Sequence, residues 1–162
     1  MNRVKMFSWC LVILWMIIIF TFSSQPAYVS SGTSSNVLEF LLNVLNISLD
    51  DEQTIFALHK LVRKSAHFVL YLILGILINN AFLQQLSDSK LTKMRIITYS
   101  FLFSLLYAIS DETHQQFVIG RGSSHLDVFI DACGSLFGIT LYYIIDFNNV
   151  KRNLRNVYAQ KD

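Results

Sequence analysis

The sequence predicts an all-α polytopic membrane protein with about four transmembrane helices plus an interfacial helix in the first outer loop. Hydrophobic residues make up 53% of the 162-residue chain and charged residues only 15%, whereas soluble domains usually carry ~25% charged residues. Four apolar stretches approach the ~20 residues that a helix needs to cross a bilayer. A fifth apolar stretch is too short to cross, which favours a helix lying in the interface.

The same composition excludes other classes of protein. Thirteen Phe, seven Tyr and two Trp provide too much apolar surface for a disordered chain. The net charge of +2 is spread over the whole sequence, so no concentrated basic face exists for nucleic acid, and we expect no nucleic-acid partner. The length fits a single membrane domain over residues 1–162.

The four predicted spans cover about residues 6–22, 66–82, 94–112 and 128–146, and residues 147–162 form a predicted cytoplasmic tail. Arg3 and Lys5 precede the first span, which allows a cleaved signal peptide as an alternative. Trp9 and Trp15 lie inside this run and no A-x-A cleavage site follows it, so an uncleaved anchor is the preferred interpretation.

The distribution of basic residues predicts the orientation. Nine of the 13 Lys and Arg residues lie before the first span, between the second and third spans, or in the tail. Four spans place these three regions on one side of the membrane, and loops rich in Lys and Arg stay cytoplasmic. We therefore expect a multi-pass protein of the plasma membrane with both termini in the cytoplasm.

Two helices are predicted in the long loop between the first two spans. Apolar residues dominate the stretch Val37 to Leu49, which predicts a helix in the interface or across the mouth of the bundle. A second helix is expected to begin near Asp50, where acidic residues favour a helix N-terminus, and to continue through Leu61 into the second span.

Ionisable and polar residues recur at helical spacing within the predicted spans. Such residues are costly in hydrocarbon, so they normally face the bundle interior and mark functional sites. On each of three spans they form one stripe at spacings of three or four residues. The stripes are Lys64, His67, Tyr71 and Gly75; Ser104, Tyr107, Asp111 and His114; and Asp127, Asp131, Gly134 and Gly138.

The predicted orientation brings the charged ends of these stripes to one depth in the outer leaflet. The loop after the third span adds Arg121 there, and Glu112 and Gln115 lie beside the third stripe. Lys64 at the start of the second span, and Asp111 with Glu112 at the end of the third, oppose the helix macrodipoles. Pairing of Lys64 with the acids, or an external ligand, would compensate for this arrangement.

Three interpretations of the stripes remain open. The Asp111-x-x-His114 spacing, joined by Glu112, His67, Asp127 or Asp131, contains metal-ligand residue types, so a divalent metal is possible. Alternatively, Lys64 and Arg121 hold a phosphate while a histidine and an acid act as general acid and base. A structural network that sets helix register is the third, and Gly134-x-x-x-Gly138 favours close helix packing.

The order and spacing of these motifs resemble the VanZ family. The resemblance is carried by Lys64-Ser-Ala-His67-Phe68, by Ser110-Asp-Glu-Thr-His-Gln115 followed by Gly120-Arg121, and by Asp127-x-x-x-Asp131-x-x-Gly134-x-x-x-Gly138. Phe22-Ser-Ser-Gln-Pro26 after the first span also fits the pattern. This chain departs from it at Ile119, where a proline is common, and at Asp131, where many members have Asn.

The resemblance implies a small bacterial multi-span membrane protein of a family associated with teicoplanin resistance. It implies functional roles at eight positions in this sequence. These positions are Lys64, His67, Tyr71, Asp111, Glu112, Gln115, Arg121 and Asp127.

The preferred functional hypothesis is a cell-envelope protein whose outward-facing polar pocket binds or modifies the head group of an outer-leaflet lipid or lipid-linked wall precursor. If the chain is an enzyme, we expect a membrane-embedded hydrolase or transferase acting on that head group. A small transporter or ion-coupled binding protein, with Asn79, Asn80 and Asp146 continuing the polar path, is one alternative. A structural protein that binds a partner in the membrane is the other.

Each candidate residue has an expected role under the preferred hypothesis. The candidate catalytic residues are His67, Asp111, Glu112 and Asp127. The candidate ligand-binding residues are Lys64, Tyr71, Gln115, Arg121 and Asp131. The candidate metal ligands are His67, Asp111 and His114.

Overall fold

Five helices form the structure, a computed structural model that describes residues 3–47, 51–86 and 93–159, with side chains up to residue 146. In chain order the helices are α1 (Arg3–Ser23), α2 (Ala27–Leu45), α3 (Glu52–Leu86), α4 (Lys93–Gln115) and α5 (His125–Ala159). No strand occurs in these ranges, so the prediction of an all-α protein is confirmed. α3 is the central helix, since it packs against all four others.

Three of the five helices are long and apolar enough to cross a membrane, in the parts of the chain that are described. They are α1, α3 and the segment His125–Asp146 of α5. These helices cover the predicted first, second and fourth spans. α4 covers the predicted third span but is less apolar, so the count of four spans stays a prediction.

The outer surface of α1 shows how these helices suit a membrane. Phe7, Ile13, Leu14 and Ile17 are about half exposed, which favours contact with lipid chains rather than water. The opposite face of the helix packs into the core through Val12 and Ile19, which are fully buried. The indole N–H of Trp15 donates to the carbonyl of Leu70 on α3 at 2.9 Å.

α3 and α5 make the most extensive helix contact in the molecule, and glycines allow their backbones to meet. A side-chain carbon at Gly134 would strike the carbonyl oxygen of Phe68, and one at Gly138 would strike that of Leu72. From the other side, a carbon at Gly75 would overlap the carbonyl oxygen of Ser135. The prediction of close packing at Gly134-x-x-x-Gly138 is confirmed.

α3 runs without interruption from Glu52, as predicted, and this continuity corrects one argument made from the sequence. Lys64 lies twelve residues after the first residue of α3, about 18 Å along the helix, and therefore does not oppose its macrodipole. Asp111 and Glu112 do lie near the end of α4. Lys64 pairs with Asp127 in the first turn of α5, not with these two acids.

α2 differs in its bounds from the helix predicted over residues 37–49. It begins at Ala27, directly after Pro26, and ends at Leu45, where Asn46 adopts a left-handed conformation with φ 53°. Asparagine tolerates this conformation better than most residues. Only Ser34 and Leu38 of α2 are buried, so the helix lies on the outside of the bundle, mainly against α3. Its position relative to the membrane stays a prediction.

Candidate functional site

Polar side chains from four helices and one loop meet at one end of the bundle. We call this set the polar cluster. It is formed by the last residue of α1, the last turn of α4, the first two turns of α5, the loop between α4 and α5, and residues 63–71 of α3. Its members are Ser23, Arg63, Lys64, His67, Tyr71, Asp111, Glu112, Gln115, Arg121, Asp127 and Asp131.

Asp111 is held in place through one of its two carboxylate oxygens. The hydroxyl of Ser23 donates to Oδ2 at 2.7 Å, and the amide of Gln115 donates to the same atom at 3.5 Å. Oδ1 is buried and has no hydrogen-bond partner. Asp111 is only 3% exposed, so this free oxygen faces the interior of the cluster.

His67 and Asp131 face one another across the α3–α5 contact. His67 Nδ1 lies 3.7 Å from Asp131 Oδ1, which is too long for a hydrogen bond. Both carboxylate oxygens of Asp131 are buried without a hydrogen-bond partner. Ligand atoms of His67, Asp111 and Asp131 all lie within 4.8 Å of one another, and these three residues could hold a metal ion.

The structure does not bring His114 into this group, although the sequence suggested it as a metal ligand. Its Nε2 atom lies 3.3 Å from the hydroxyl of Ser24, and its ring packs against Phe20 with a centroid distance of 4.7 Å. Asp131, predicted as a ligand-binding residue, occupies the position beside His67 and Asp111 instead. The packing of α5 against α4, which brings Asp131 to this position, could not be deduced from spacing along α4 alone.

Two arginines converge on one amide oxygen at the edge of the cluster. Arg63 donates to Gln115 Oε1 at 3.1 Å, and Arg121 donates to the same atom at 3.3 Å. Burial, and next the charge of Arg63, lower the pKa of Arg121 to about 10. Two guanidinium groups this close repel one another, and an anion between them would relieve the repulsion.

The loop between α4 and α5 positions Arg121. The backbone N–H of Arg121 donates to Val118 at 3.0 Å, and Ala27 at the start of α2 donates to the carbonyl of Ile119 at 3.1 Å. Gly120 has a φ of +75°, a conformation that glycine adopts without strain. Arg121 also donates to the carbonyl of Phe22 at 3.2 Å, so the guanidinium bridges the loop and the end of α1.

The remaining acids of the cluster have protein partners. Lys64 and Asp127 form an ion pair of 2.6 Å, with side chains 33% and 27% exposed; exposed pairs of this kind contribute ~0–1 kcal/mol. Glu112 accepts a hydrogen bond of 2.6 Å from the backbone N–H of Ser124. Both contacts tie the start of α5 to its neighbours, which is a structural role alongside any chemical one.

Tyr71 is the member of the polar cluster that lies one turn beyond His67 on α3. It is fully buried, its hydroxyl has no hydrogen-bond partner, and it is close enough to Asp111 and Asp131 for electrostatic interaction. Its ring lies 6.1 Å from that of Tyr107, whose hydroxyl donates to the carbonyl of Met16 at 2.7 Å. Tyr71 therefore lies near the carboxylates, and its role in ligand binding stays a prediction.

Two cavities border the cluster. The small polar cavity, about 10 Å³ in volume, is about large enough for one water molecule. The α2–α3 cavity has a volume of about 950 Å³, at the upper end of the range for ligand sites. The small polar cavity is lined by Arg63, Lys64, His67, Glu112, Gln115, Asp127, Ile130 and Asp131.

The α2–α3 cavity is lined mainly by apolar side chains and also by residues of the polar cluster. Aliphatic side chains of both helices line it, including Leu38, Leu41 and Leu58. Arg63, His67 and Arg121 also line it, and these three residues belong to the polar cluster. The cavity therefore has the shape and polarity of an amphiphile.

A second polar layer lies toward the other end of the bundle. Asn79 is fully buried, and the hydroxyls of Ser100 and Tyr143 lie 3.4 and 3.5 Å from its Oδ1 atom. Leu74 and Ala108 are fully buried between this layer and the polar cluster. These contacts connect helices across the bundle.

Arg63 and Ser23 are the functional candidates that sequence reasoning missed. From the sequence alone, Arg63 is one of the basic residues on the outer side of the predicted membrane. Ser23 is only the end of the first predicted span. Arg63 lies four residues before His67, so helical spacing places both on one face of α3. No comparable signal exists for Ser23, because its contact with Asp111 joins residues 88 positions apart.

The comparisons with known proteins agree with the motifs in the cluster. The sequence model of the VanZ/LLP1 family matches residues 7–146, which is nearly the whole chain. Neither the curated proteins nor the solved structures that were compared give a match. The matched range includes every residue of the polar cluster and all but the first four residues of the three membrane-length helices. The chain belongs to the VanZ/LLP1 family.

Proposed function

We propose that this protein binds an anionic lipid or lipid-linked wall precursor of the outer leaflet. The head group would contact Arg63 and Arg121, and the acyl chain would occupy the α2–α3 cavity. One observation carries the proposal, which is that a mainly apolar cavity of about 950 Å³ includes two arginines in its lining. In a membrane protein, a ligand that needs both features is an amphiphile with a negatively charged head group.

The arginines suit a phosphate. Guanidinium groups bind phosphate oxygens through two parallel hydrogen bonds, and Arg121 Nε is buried without a partner. Both arginines donate to the single Oε1 atom of Gln115, so their remaining N–H groups can donate to a ligand. Lys64, expected to hold the anion together with Arg121, is paired with Asp127 instead.

The apolar walls suit an acyl or polyprenyl chain. Leu41 is partly exposed on α2 and Leu61 on α3, and both line the cavity. A second apolar cavity, of about 660 Å³, lies between α4 and α5. Glu112 is the charged residue in its lining, so electrostatics favours the α2–α3 cavity for an anionic lipid.

His67 is the residue that could act on the bound head group. Of the candidate catalytic residues, His67 lines the α2–α3 cavity, whereas Asp111, Glu112 and Asp127 do not. An imidazole can transfer a proton near neutral pH. If the protein modifies its ligand, we propose that His67 transfers the proton and that the three acids act behind it.

Family membership connects the proposal to glycopeptides. Binding or modification of a lipid-linked wall precursor at the membrane surface would lower the access of a glycopeptide such as teicoplanin to that precursor. We expect expression of this protein in a susceptible bacterium to raise the teicoplanin concentration that inhibits growth. Arg121→Gln expressed at an equal level is expected to abolish the increase.

A lipid-binding measurement tests the proposal directly. The purified chain is titrated with fluorescent phosphatidylglycerol and, separately, with phosphatidylcholine in detergent micelles. Tighter binding of the anionic lipid is expected, with a loss of about tenfold in Arg63→Gln and in Arg121→Gln, as for the removal of one charged hydrogen bond. Lys60→Gln is the matched control, because Lys60 is exposed and lies over the ring of Phe56, away from the cavity.

A pair of bulky substitutions separates the two apolar cavities. Leu41→Trp in the α2–α3 cavity is expected to weaken lipid binding, whereas Ile109→Trp in the α4–α5 cavity is expected to leave it unchanged. Equal binding of the two lipids, or a loss confined to Ile109→Trp, would contradict the proposal.

A further inference from the structure

We propose that His67, Asp111 and Asp131 bind one divalent transition-metal ion. The three residues come from α3, α4 and α5, so they are remote in sequence and meet through helix packing. Among the described residues they form the one group of three or more such side chains with converging ligand atoms. The proposal does not depend on lipid binding.

The spacing of the three side chains is close to that of a metal site. Their ligand atoms lie within 4.8 Å of one another. Around a tetrahedral ion with bonds of about 2.0–2.2 Å, neighbouring ligand atoms are about 3.3 Å apart.

The second and independent observation in favour of a metal is that buried carboxylate oxygens of the group lack hydrogen-bond partners. Asp131 is 1% exposed, and neither of its carboxylate oxygens has a hydrogen-bond partner; Oδ1 of Asp111 also lacks one. Buried polar groups are normally hydrogen-bonded, and buried charges are normally paired or bound to a metal. A cation between the two carboxylates and His67 would bind one unsatisfied oxygen of each acid and reduce the repulsion between the acids.

Outer contacts orient Asp111 toward such an ion. Ser23 and Gln115 both donate to Oδ2, and this leaves Oδ1 directed into the group. Ligating carboxylates in metal sites are commonly held by hydrogen bonds of this kind, which fix the ligand and raise affinity. The polar cluster therefore contains the supporting residues of a metal site as well as its ligands.

The donor set selects the kind of ion. One imidazole nitrogen and two carboxylate oxygens, without a thiolate, suit Zn²⁺ and Mn²⁺. Three protein ligands leave coordination positions open. The small polar cavity borders His67 and Asp131 and has about 10 Å³ of space, which is about enough for one water molecule as a further ligand.

Direct measurement of bound metal tests the assignment. The full chain is purified in detergent, treated with a chelator, dialysed against Zn²⁺ or Mn²⁺, and analysed by mass spectrometry for metal content. We expect one ion for each wild-type chain and a loss of at least about tenfold in affinity for His67→Asn and for Asp131→Asn. Asp131→Asn conserves side-chain size, His67→Asn shortens the side chain, and both variants are checked for folding by size-exclusion chromatography.

Two matched controls use the same substitutions outside the group. His114→Asn removes the histidine that contacts Ser24, and Asp127→Asn removes the acid that pairs with Lys64. Both are expected to bind metal as the wild type does. Metal binding that is unchanged in His67→Asn and Asp131→Asn, or an absence of stoichiometric binding by the wild type, would overturn the proposal.

A spectroscopic measurement on the wild-type chain avoids any question of folding in the variants. Pulsed electron paramagnetic resonance of bound Mn²⁺ is expected to show coupling to an imidazole nitrogen. Manganese bound without nitrogen coupling would show a site that excludes His67 and would refute the assignment.

Discussion

At the scale of single residues, the two carboxylate oxygens of Asp111 differ in their hydrogen-bond partners. Oδ2 accepts hydrogen bonds from Ser23 and Gln115, whereas Oδ1 has no partner. Gln115 in turn accepts from two arginines. A single amide side chain therefore links the carboxylates of the proposed metal site to the cations of the proposed head-group site.

We predict that Ser23→Ala weakens Zn²⁺ binding by about tenfold, because loss of an outer-shell hydrogen bond typically costs 10–100-fold in metal affinity. Competition with a fluorescent zinc chelator measures the change. Ser24→Ala is the matched control, since its hydroxyl contacts Phe20 and His114 rather than Asp111. Equal affinities in the two variants would show that Ser23 does not orient the carboxylate.

The serine-rich start of α2 explains, at the scale of elements, why its bounds were predicted incorrectly. Ser and Thr have modest helix propensity, so the apolar pattern suggested a start at Val37. In the structure the hydroxyls of Ser31, Thr33, Ser34 and Ser35 each donate to the carbonyl four residues earlier. These hydroxyl groups are therefore hydrogen-bonded within the helix, and the helix can begin at Ala27.

α4 shows why mean hydropathy understates a helix that lines a polar interior. Its buried residues include Ser100, Ser104, Ala108 and Asp111, spaced at three or four residues. On its outer face, large apolar side chains such as Leu106 are exposed. Hydropathy averages both faces, whereas contact with lipid concerns only one, so α4 retains an apolar surface suited to a membrane.

The glycine contact between α3 and α5 leads to a prediction for these two elements. Gly138→Ala would force a side-chain carbon against the backbone of Leu72, and we expect a loss of about 1–3 kcal/mol in stability, as for overpacking. Gly32→Ala on α2 meets no atom within 4 Å and should stabilise by about 0.5–1 kcal/mol through helix propensity.

Unfolding by denaturant in detergent micelles measures both changes. The pair controls for the substitution itself, because each variant replaces a helical glycine by alanine. A stability for Gly138→Ala equal to that of the wild type would mean that the two helices can separate without cost.

At the scale of the whole molecule, the polar groups are concentrated at one end of the bundle and divided by charge. The buried carboxylates Asp111 and Asp131 lie inside, and Arg63 and Arg121 lie toward α2 and its cavity. An anionic head group and a metal cation would therefore occupy neighbouring positions, with His67 next to both. A lipid head group can reach its position only if the cluster faces one leaflet of the membrane.

Topology is the prediction that belongs to this scale. If α4 crosses the membrane, both termini lie in the cytoplasm, as the distribution of basic residues favours. Alkaline phosphatase is active only outside the plasma membrane, so fusions at either terminus should be inactive. A fusion inserted after Asn46, at the end of α2, should be active. Activity at the C-terminus with inactivity at the N-terminus would instead support three spans.

Most of the architecture was accessible from the sequence because it depends on local properties. Apolar run length predicts helices that can cross a membrane, and periodicity placed Lys64, His67 and Tyr71 on one face of α3. The family motifs added the order of the polar residues. The positions of α1, α3, α4 and α5 follow from these signals, whereas the count of four spans depends on α4 and stays a prediction.

The sequence by itself determined the class of protein, the location of its apolar helices and most of the residues that form the polar cluster. Only the tertiary structure decided which of them meet: Asp131 rather than His114 beside His67, Asp127 rather than Asp111 beside Lys64, and Arg63 beside Arg121. The physical reason is that periodicity specifies the face of a helix, while the rotation and depth of one helix against another depend on packing. Here that packing is set by glycines that bring the backbones of α3 and α5 into contact.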